Sequence, residues 1–490
     1  MTHKVLVTAA FALALFFVAG ASSAQTAPVD SPAWLRDRQY TEGIGIRTGD
    51  FEVHPGIAGE IGYDSNWLLR SDRSGCTETA IPPCDNGPPV VPALEFRITP
   101  SLSLSTLGPQ RREGDVAPVH PTVAFRMGVS ATWRAFIGLS SDSTGATDVS
   151  KQTESLPSVG ADARLTILPG EPVGGAVFAN WVRSQLPNQT NADPNLSFDH
   201  DDVGGGGELA LQPNSGTLDA HIGYQYNATI FESSQALGLS NGSHQAFLRE
   251  RWRFRPRTAL LYDANIRFVS YNNPTEAMQQ GLVGSTPIRM RFGMNGLVTN
   301  RLSVMLLAGW ASSLYDTGPN PVMAQQQYDT FIGQAELTWF LAPGPGIAEI
   351  PALGLALSAI TLGYNRDFSN SYIGNYYGID RGYLRFNYFF GGRALVTLEG
   401  GMAGIEYPDI YWLTPAPALR HTKFTDYRLD ATLFGEYRFS DTTGLNATIR
   451  YTSNISNVHD MPDQPPGNGP GVFDMAWNRL EAFLGFRWFM

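Results

Sequence analysis

From Leu480 to Met490 every second residue is apolar: Leu480, Ala482, Leu484, Phe486, Trp488 and Met490. Between them lie Glu481, Phe483, Gly485, Arg487 and Phe489. Apolar positions two apart share one face of a β-strand and cannot share a face of a helix. An aromatic-rich strand of this kind at the C-terminus suits the closing strand of an outer-membrane barrel, where lipid meets the apolar face. The prediction then turns on whether the alternation recurs, and it does. In Leu94–Leu104 (LEFRITPSLSL), Leu94, Phe96, Ile98, Leu102 and Leu104 alternate with Glu95, Arg97, Thr99, Ser101 and Ser103. Val123–Leu139 holds the period over nine apolar positions, and Leu218–Ile230, Tyr427–Phe439 and Leu445–Tyr451 repeat it.

Counting such segments and the turn signals between them predicts an all-β, transmembrane antiparallel β-barrel of about eighteen strands. The expected starts are residues 56, 93, 122, 155, 173, 204, 218, 243, 258, 286, 302, 328, 353, 376, 394, 426, 445 and 476. Short connections such as Pro169–Pro172, Arg255–Arg257, Thr299–Arg301 and Ser440–Gly444 alternate with long ones such as Arg70–Pro92, Gln185–Gly204, Tyr407–Thr425 and Asn454–Asp474. The short ones are expected to be periplasmic turns and the long ones extracellular loops. Outward aromatics then fall into two belts: Trp133, Trp181, Tyr224, Tyr226 and Trp310 above, Trp252, Trp339 and Trp488 below. Glu250 and Asp380 conflict with this register, because they land on the lipid face. A bulge or a one-residue shift would turn either inward.

The N-terminus predicts an address. Lys4 precedes an almost unbroken apolar run, Val5 to Val18, and Ala19 to Ala24 offers small residues for cleavage after Ala24. This pattern predicts a signal peptide over 1–24, a periplasmic tail or short plug over 25–50, and the barrel over 51–490. No later run is long and apolar enough for a transmembrane helix. Charged residues make up 16% of the chain, against about 25% in soluble domains. A net charge of -11 argues against nucleic-acid binding. Cys76 and Cys84, close together in a Gly/Pro/Asp-rich segment, are expected to form a small disulfide that pins a loop.

Barrels of this size are wide enough to hold water, so function is read from inward positions. Arg249, Arg251, Arg253, Arg255 and Arg257 recur at every second residue and share one face. Arg289 and Arg291 lie two strands on, and Arg381 and Arg385 form a second group with Tyr377 and Tyr383. Arg134, Arg164, Arg267, Arg428 and Arg450 also point inward, as do Glu60, Glu95, Asp162, Asp263, Glu336, Glu399, Asp430 and Glu436. Two readings stand. These charges pair across strands and set the field of the lumen, or Arg249, Arg251, Arg253, Arg289, Arg291, Tyr377, Arg381, Tyr383 and Arg385 form a translocation track for an anion. Inward rings (Phe136, Phe178, Phe247, Tyr271) either pack or offer faces to sugars.

Enzyme chemistry is not expected: no nucleophile motif surrounds the histidines, and no cofactor motif is present. The acidic run Asp193–Asp202 reads as a hydrated loop, with a divalent cation as the sharper alternative. No metal site and no cofactor are assigned.

The segment Gly45–Asn66 (GIRTGDFEVHPGIAGEIGYDSN) resembles the lead-in of a family of outer-membrane β-barrel porins found with exopolysaccharide gene clusters. In that family a Gly-x-Arg-x-Gly-x-Phe-x-x-x-Pro stretch opens the first strand, which ends in Tyr-Asp-x-Asn. Gly45, Arg47, Gly49, Phe51, Pro55, Tyr63, Asp64 and Asn66 occupy those places. The nearest resemblance is to exopolysaccharide secretion barrels of myxobacteria-like Gram-negatives. It implies an eighteen-stranded channel that passes a polysaccharide with help from a separate periplasmic export protein, since no helical-repeat domain is read in this chain. Two other readings remain open from the residues: a passive diffusion porin for small anions, and a structural or adhesive barrel with a blocked lumen.

Overall fold

A computed structural model describes residues 45–71, 90–106, 122–139, 157–185, 198–316, 327–341, 358–390, 393–412, 419–458, 461–462, 472–473 and 475–490. The predicted signal peptide, most of the predicted tail, and Cys76 and Cys84 lie outside the described residues.

Eighteen antiparallel strands close into a barrel. They are β1 Phe51–Asp64, β2 Ala93–Thr106, β3 Val123–Gly138, β4 Ser158–Ile167, β5 Val173–Ser184 and β6 His200–Leu211. Then come β7 Leu218–Phe231, β8 Asn241–Arg255, β9 Thr258–Tyr271, β10 Ser285–Thr299, β11 Leu302–Tyr315 and β12 Tyr328–Phe340. The last six are β13 Ala359–Ser371, β14 Asn375–Phe390, β15 Ala394–Tyr407, β16 Phe424–Arg438, β17 Thr443–Ile455 and β18 Trp477–Phe489. Each pairs with its sequence neighbours, and β18 returns to β1 with Gly56 opposite Phe489 and Asp64 opposite Glu481. Closure gives every strand a partner on both sides over most of its length, as a bilayer requires because its core offers no water to backbone groups. Among the described residues no helix is long and apolar enough to cross a membrane; the strands do the crossing.

The starts predicted from alternation hold closely, the widest gaps being 353 against Ala359 and 56 against Phe51. The burial pattern is inside-out relative to a soluble protein. Large apolar side chains such as Leu209 (61% exposed), Val173 (58%) and Leu484 (58%) cover the outside, while Glu95, Arg97, Thr99 and Arg134 are buried within. Trp133, Trp181, Tyr224, Tyr226 and Trp310 stand outward near one end, here called upper, and Trp252, Trp339 and Trp488 stand outward near the other. These are the two predicted belts.

Most lower connections are short, as expected, and include 168–172, 256–257 and 300–301; 107–122 and 341–358 are longer exceptions. The upper connection 372–374 is as short as a lower turn, and its hairpin matters below. Of the predicted tail, residues 45–50 are described. Ile46–Thr48 forms a short strand on β1, with Gly45 and Gly49 in the left-handed region that only glycine adopts easily. It continues the ladder below the point where β18 ends, which Met490 N–H marks by donating to the Pro55 carbonyl.

Glu250 and Asp380 keep their outward register, and neither a bulge nor a slip turns them in. Glu250 lies two residues from Trp252 of the lower belt, near the interface, where a charged side chain costs far less than at the midplane. Asp380 has a specific partner. It accepts from Arg366 at 3.2 Å and from the Tyr364 hydroxyl.

Candidate functional site

Arg366 and Asp380 mark the place where the wall opens. The β12–β13 ladder stops at Gly333 opposite Arg366, whereas the β13–β14 ladder runs on to Ser371 opposite Asn375. On the other side β14 pairs with β15 only from Gly378 downward. The hairpin tip, Asp367 to Tyr377, has therefore left both neighbouring strands. Arg366 compensates β12 for the missing strand by donating to the Phe331 carbonyl at 3.2 Å, and Asp380 holds the guanidinium in place.

The tip turns into the lumen and reaches across five strands. Asp367 pairs with Arg289 of β10 at 3.2 Å, and Asn370 donates to Ser285 at 3.4 Å. The Tyr372 ring meets Phe231 of β7 edge-on at 5.3 Å, and Asn241 of β8 donates to its hydroxyl. At the turn, Gly374 and Asn375 take positive φ. A Cβ on Gly374 would lie 2.9 Å from Ile410 and 3.2 Å from Pro408, so the tip is also gripped from the β15 side. Asn375, 4% exposed, accepts from Val283 N–H and donates to the Gly281 carbonyl. The short helix Pro274–Gln279 and the 3-10 turn Ser234–Leu239 cap this corner through buried Phe231, Ala236, Leu239, Ala277 and Leu282.

Under the tip is a cavity of about 520 Å³. Its lining includes Arg267, Arg289 and Arg291, the amides Asn265, Gln334 and Asn365, and the rings of Phe368, Tyr271 and Tyr372.

Arg249, Arg251 and Arg253 of the predicted ladder face the lumen, because Trp252 and Phe254 are exposed outside. Below Trp252 the register of β8 against β9 shifts, so Arg255 comes opposite Thr258 and, with Arg257 in the turn, leaves that face. Its members differ in what they meet. Arg249 stacks on Phe247 at 4.6 Å and shares Asp263 with Arg291, at 3.8 and 3.4 Å. Arg251 pairs with Asp219 at 2.6 Å. Arg253 is exposed at the lower rim and forms no ion pair among the described residues. Arg289 stacks on Phe368 at 4.4 Å and holds the hairpin. The second predicted group lies apart, on β14. Arg381 pairs with Glu399 at 2.9 Å and Asp430 at 2.7 Å, Arg385 pairs with Glu399 at 2.7 Å, and the Tyr383 hydroxyl donates to Glu336 at 2.7 Å. Tyr377 stays at the hairpin base, its ring 5.8 Å from that of Tyr407. The track thus divides into a β8–β10 face with unspent positive charge and a β14 group saturated by carboxylates.

Sequence reasoning placed Arg267 inward but outside the candidate track, and passed over Asn265, Asp367 and Tyr372. The dipeptide Gly374-Asn375 is a turn signal, yet nothing in the alternation says which way the turn bends. In the acidic run, Asp199 pairs with Arg183 at 3.5 Å, Asp201 accepts from Trp181, and Asp202 lies 3.4 Å from His200. Among the described residues no group of three or more metal-ligating side chains is found.

The lead-in motif forms the barrel's closure. Asp64, fully buried, takes three bonds from Arg479 of β18, the shortest 2.6 Å. Asn66 donates to the carbonyls of Arg70 and Asn478. Trp67, 1% exposed, lies between the guanidinium groups of Arg479 (4.9 Å) and Arg134 (5.3 Å). Glu481 and Glu95 extend the network to Arg97, at 3.5 and 2.6 Å.

No family model and no curated protein matches the chain. Among solved structures it is similar to OccAB4 of Acinetobacter baumannii, at 9% identity over 91% of this chain and 99% of that one, TM-score 0.43. It is similar to a BenF-like porin of Pseudomonas fluorescens Pf-5 at 10% identity, 90% and 99% coverage, TM-score 0.44. A third is OpdK of Pseudomonas aeruginosa, in a structure with vanillate, at 10% identity, 89% and 99% coverage, TM-score 0.42. At these identities and TM-scores the barrel rests on its own strand ladders. A closed barrel with this lipid-facing exterior belongs in the outer membrane of a Gram-negative bacterium, surrounded by its lipids.

Proposed function

We propose that the chain is an outer-membrane diffusion channel for small anionic solutes, and not an enzyme. The observation that carries this reading is the β8–β10 wall, where Arg249, Arg251, Arg253, Arg267, Arg289 and Arg291 face the lumen beside an inward hairpin. Positive charge on a confined wall favours anions. The hairpin leaves the passage narrower than the strand count alone would, which suits small solutes better than a polymer.

The second reading is exopolysaccharide export with a periplasmic partner, as the resemblance of Gly45–Asn66 implies. Lumen rings such as Tyr383 support it, since sugars stack on aromatic faces, although that ring is flanked by Arg381 and Arg385 at 5.0 and 5.8 Å. A blocked structural barrel is the third. Single-channel recording of the purified protein separates the third from the others, since a blocked barrel conducts nothing. Deleting the gene and assaying secreted polymer separates the first two; unchanged secretion removes the export reading.

Replacing Arg249, Arg251 and Arg253 together with Gln is expected to lower anion preference. The check is the reversal potential under a salt gradient at low ionic strength, where screening is weakest. An unchanged reversal potential would mean that these side chains do not face the conducting path.

A further inference from the structure

Resting on the reading as an anion channel, we propose that the cavity beneath the hairpin is a binding site for a small hydroxylated carboxylate, of the sugar-acid class. Three side chains on its wall are incompletely satisfied. Arg267 has no carboxylate partner among the described residues; its Nε and Nη2 both donate to one acceptor, Gln245 Oε1, at 3.2 and 3.0 Å. Arg291 has its Nε buried without a hydrogen-bond partner, and Asn265 has its Oδ1 in the same condition. Buried polar atoms left in this way cost free energy that a ligand recovers. Arg289, between the other two arginines, is already committed to Asp367 and the Phe368 carbonyl.

The spacing selects the ligand. Asn265 and Arg267 are two residues apart on β9 and face the same way, about 7 Å along an extended strand. Arg291 sits opposite Asp263, a further two residues down. A carboxylate on Arg267 therefore places hydroxyls a few carbons away, one to donate to Asn265 Oδ1 and one to accept from Arg291 Nε. The wall is otherwise amide- and hydroxyl-rich, with Gln334, Asn365 and Ser243 among its residues. That lining suits a chain of hydroxyls and does not suit an alkyl chain. A bare inorganic anion would leave most of the 520 Å³ unfilled.

The test uses the full-length protein in planar bilayers carrying a chloride current. The probes are gluconate, sorbitol (the hydroxyls without the charge) and hexanoate (the charge without the hydroxyls). Gluconate is expected to interrupt the current at concentrations at least about tenfold lower than either of the others, the worth of one charged hydrogen bond. Arg267→Gln should raise the gluconate concentration for half-block by about tenfold, and Asn265→Leu should bring gluconate and hexanoate together. Arg301→Gln, which removes the same charge in the turn 300–301, should leave the block as it is. Equal block by gluconate and sorbitol in the unaltered protein overturns the proposal, even where no variant can be folded. So does an unchanged block in Arg267→Gln. Either result combined with an anion-selective reversal potential leaves the channel reading standing, whereas loss of anion selectivity with intact gluconate block removes that reading alone.

Discussion

Replacing Ser369–Tyr377 with Asn-Gly should raise single-channel conductance several-fold, the largest functional change expected of any single alteration. The replacement keeps Phe368 opposite Gly378, the register found in the ladder, and Asn-Gly is a favoured two-residue hairpin turn. What is removed is most of the segment that departs from β12 and β15, including the contacts of Tyr372 with β7 and β8 and of Asn370 with β10. The wall itself is unchanged, so the gain reports only on the space the tip occupies. The replacement leaves Asp367 and Phe368 in place with Arg289 on them, so anion preference should stay as it is while conductance rises. Recording in planar bilayers reads both. Unchanged conductance would show that ions pass elsewhere and that the tip merely packs on the wall.

A milder variant separates position from presence. Asn375→Ala removes the acceptor of Val283 N–H and the donor to the Gly281 carbonyl while leaving the tip intact. Two buried backbone groups lose their partners, at about 1–3 kcal/mol each. The tip should then fluctuate, giving noisier currents and a mean conductance between those of the unaltered and shortened proteins.

The wall was legible in the sequence for a physical reason: lipid imposes one rule on every strand. Leu480–Met490 and Val123–Leu139 alternate because a single misplaced face would meet hydrocarbon. The lumen obeys no such rule. Water, an ion pair or a packed ring all satisfy an inward position, so Arg381 and Arg289 look alike in sequence although one is saturated by two carboxylates and the other holds a hairpin. The hairpin escaped because Phe368–Tyr377 reads as the polar, glycine-bearing turn between two strands, and a turn reads the same whether the strand pair stays in the wall or leaves it. Its one visible trace was the apparent error at Asp380. An outward acid at the upper rim made no sense in a continuous wall, and it is the counter-ion of the arginine that seals the gap. The buried Asp64 and Asn66 were legible only as residues of a local pattern; their partner Arg479 lies more than four hundred residues away, and no local reading connects them.

That long-range connection predicts the largest effect on stability. Asp64→Asn leaves Arg479 buried, 5% exposed, without the carboxylate that now meets it at 2.6 Å. Breaking a buried pair by removing one partner costs about 3–5 kcal/mol. The loss falls on the seam between the first and last strands, where the sheet closes into a barrel. Glu481, 3.2 Å from Arg479, softens the cost, because it keeps some negative charge beside the guanidinium. Arg479→Met should cost more, since it also withdraws the cation stacked on Trp67 and leaves Asp64 and Glu481 as neighbouring acids with less compensation. The double variant Asp64→Leu with Arg479→Met should be more stable than either single change, as apolar replacements of buried pairs often are. Urea unfolding in lipid vesicles, followed by tryptophan fluorescence, measures all three. If Asp64→Asn unfolds at the same urea concentration as the unaltered protein, the seam is held by its backbone ladder alone and the motif's acid has another purpose.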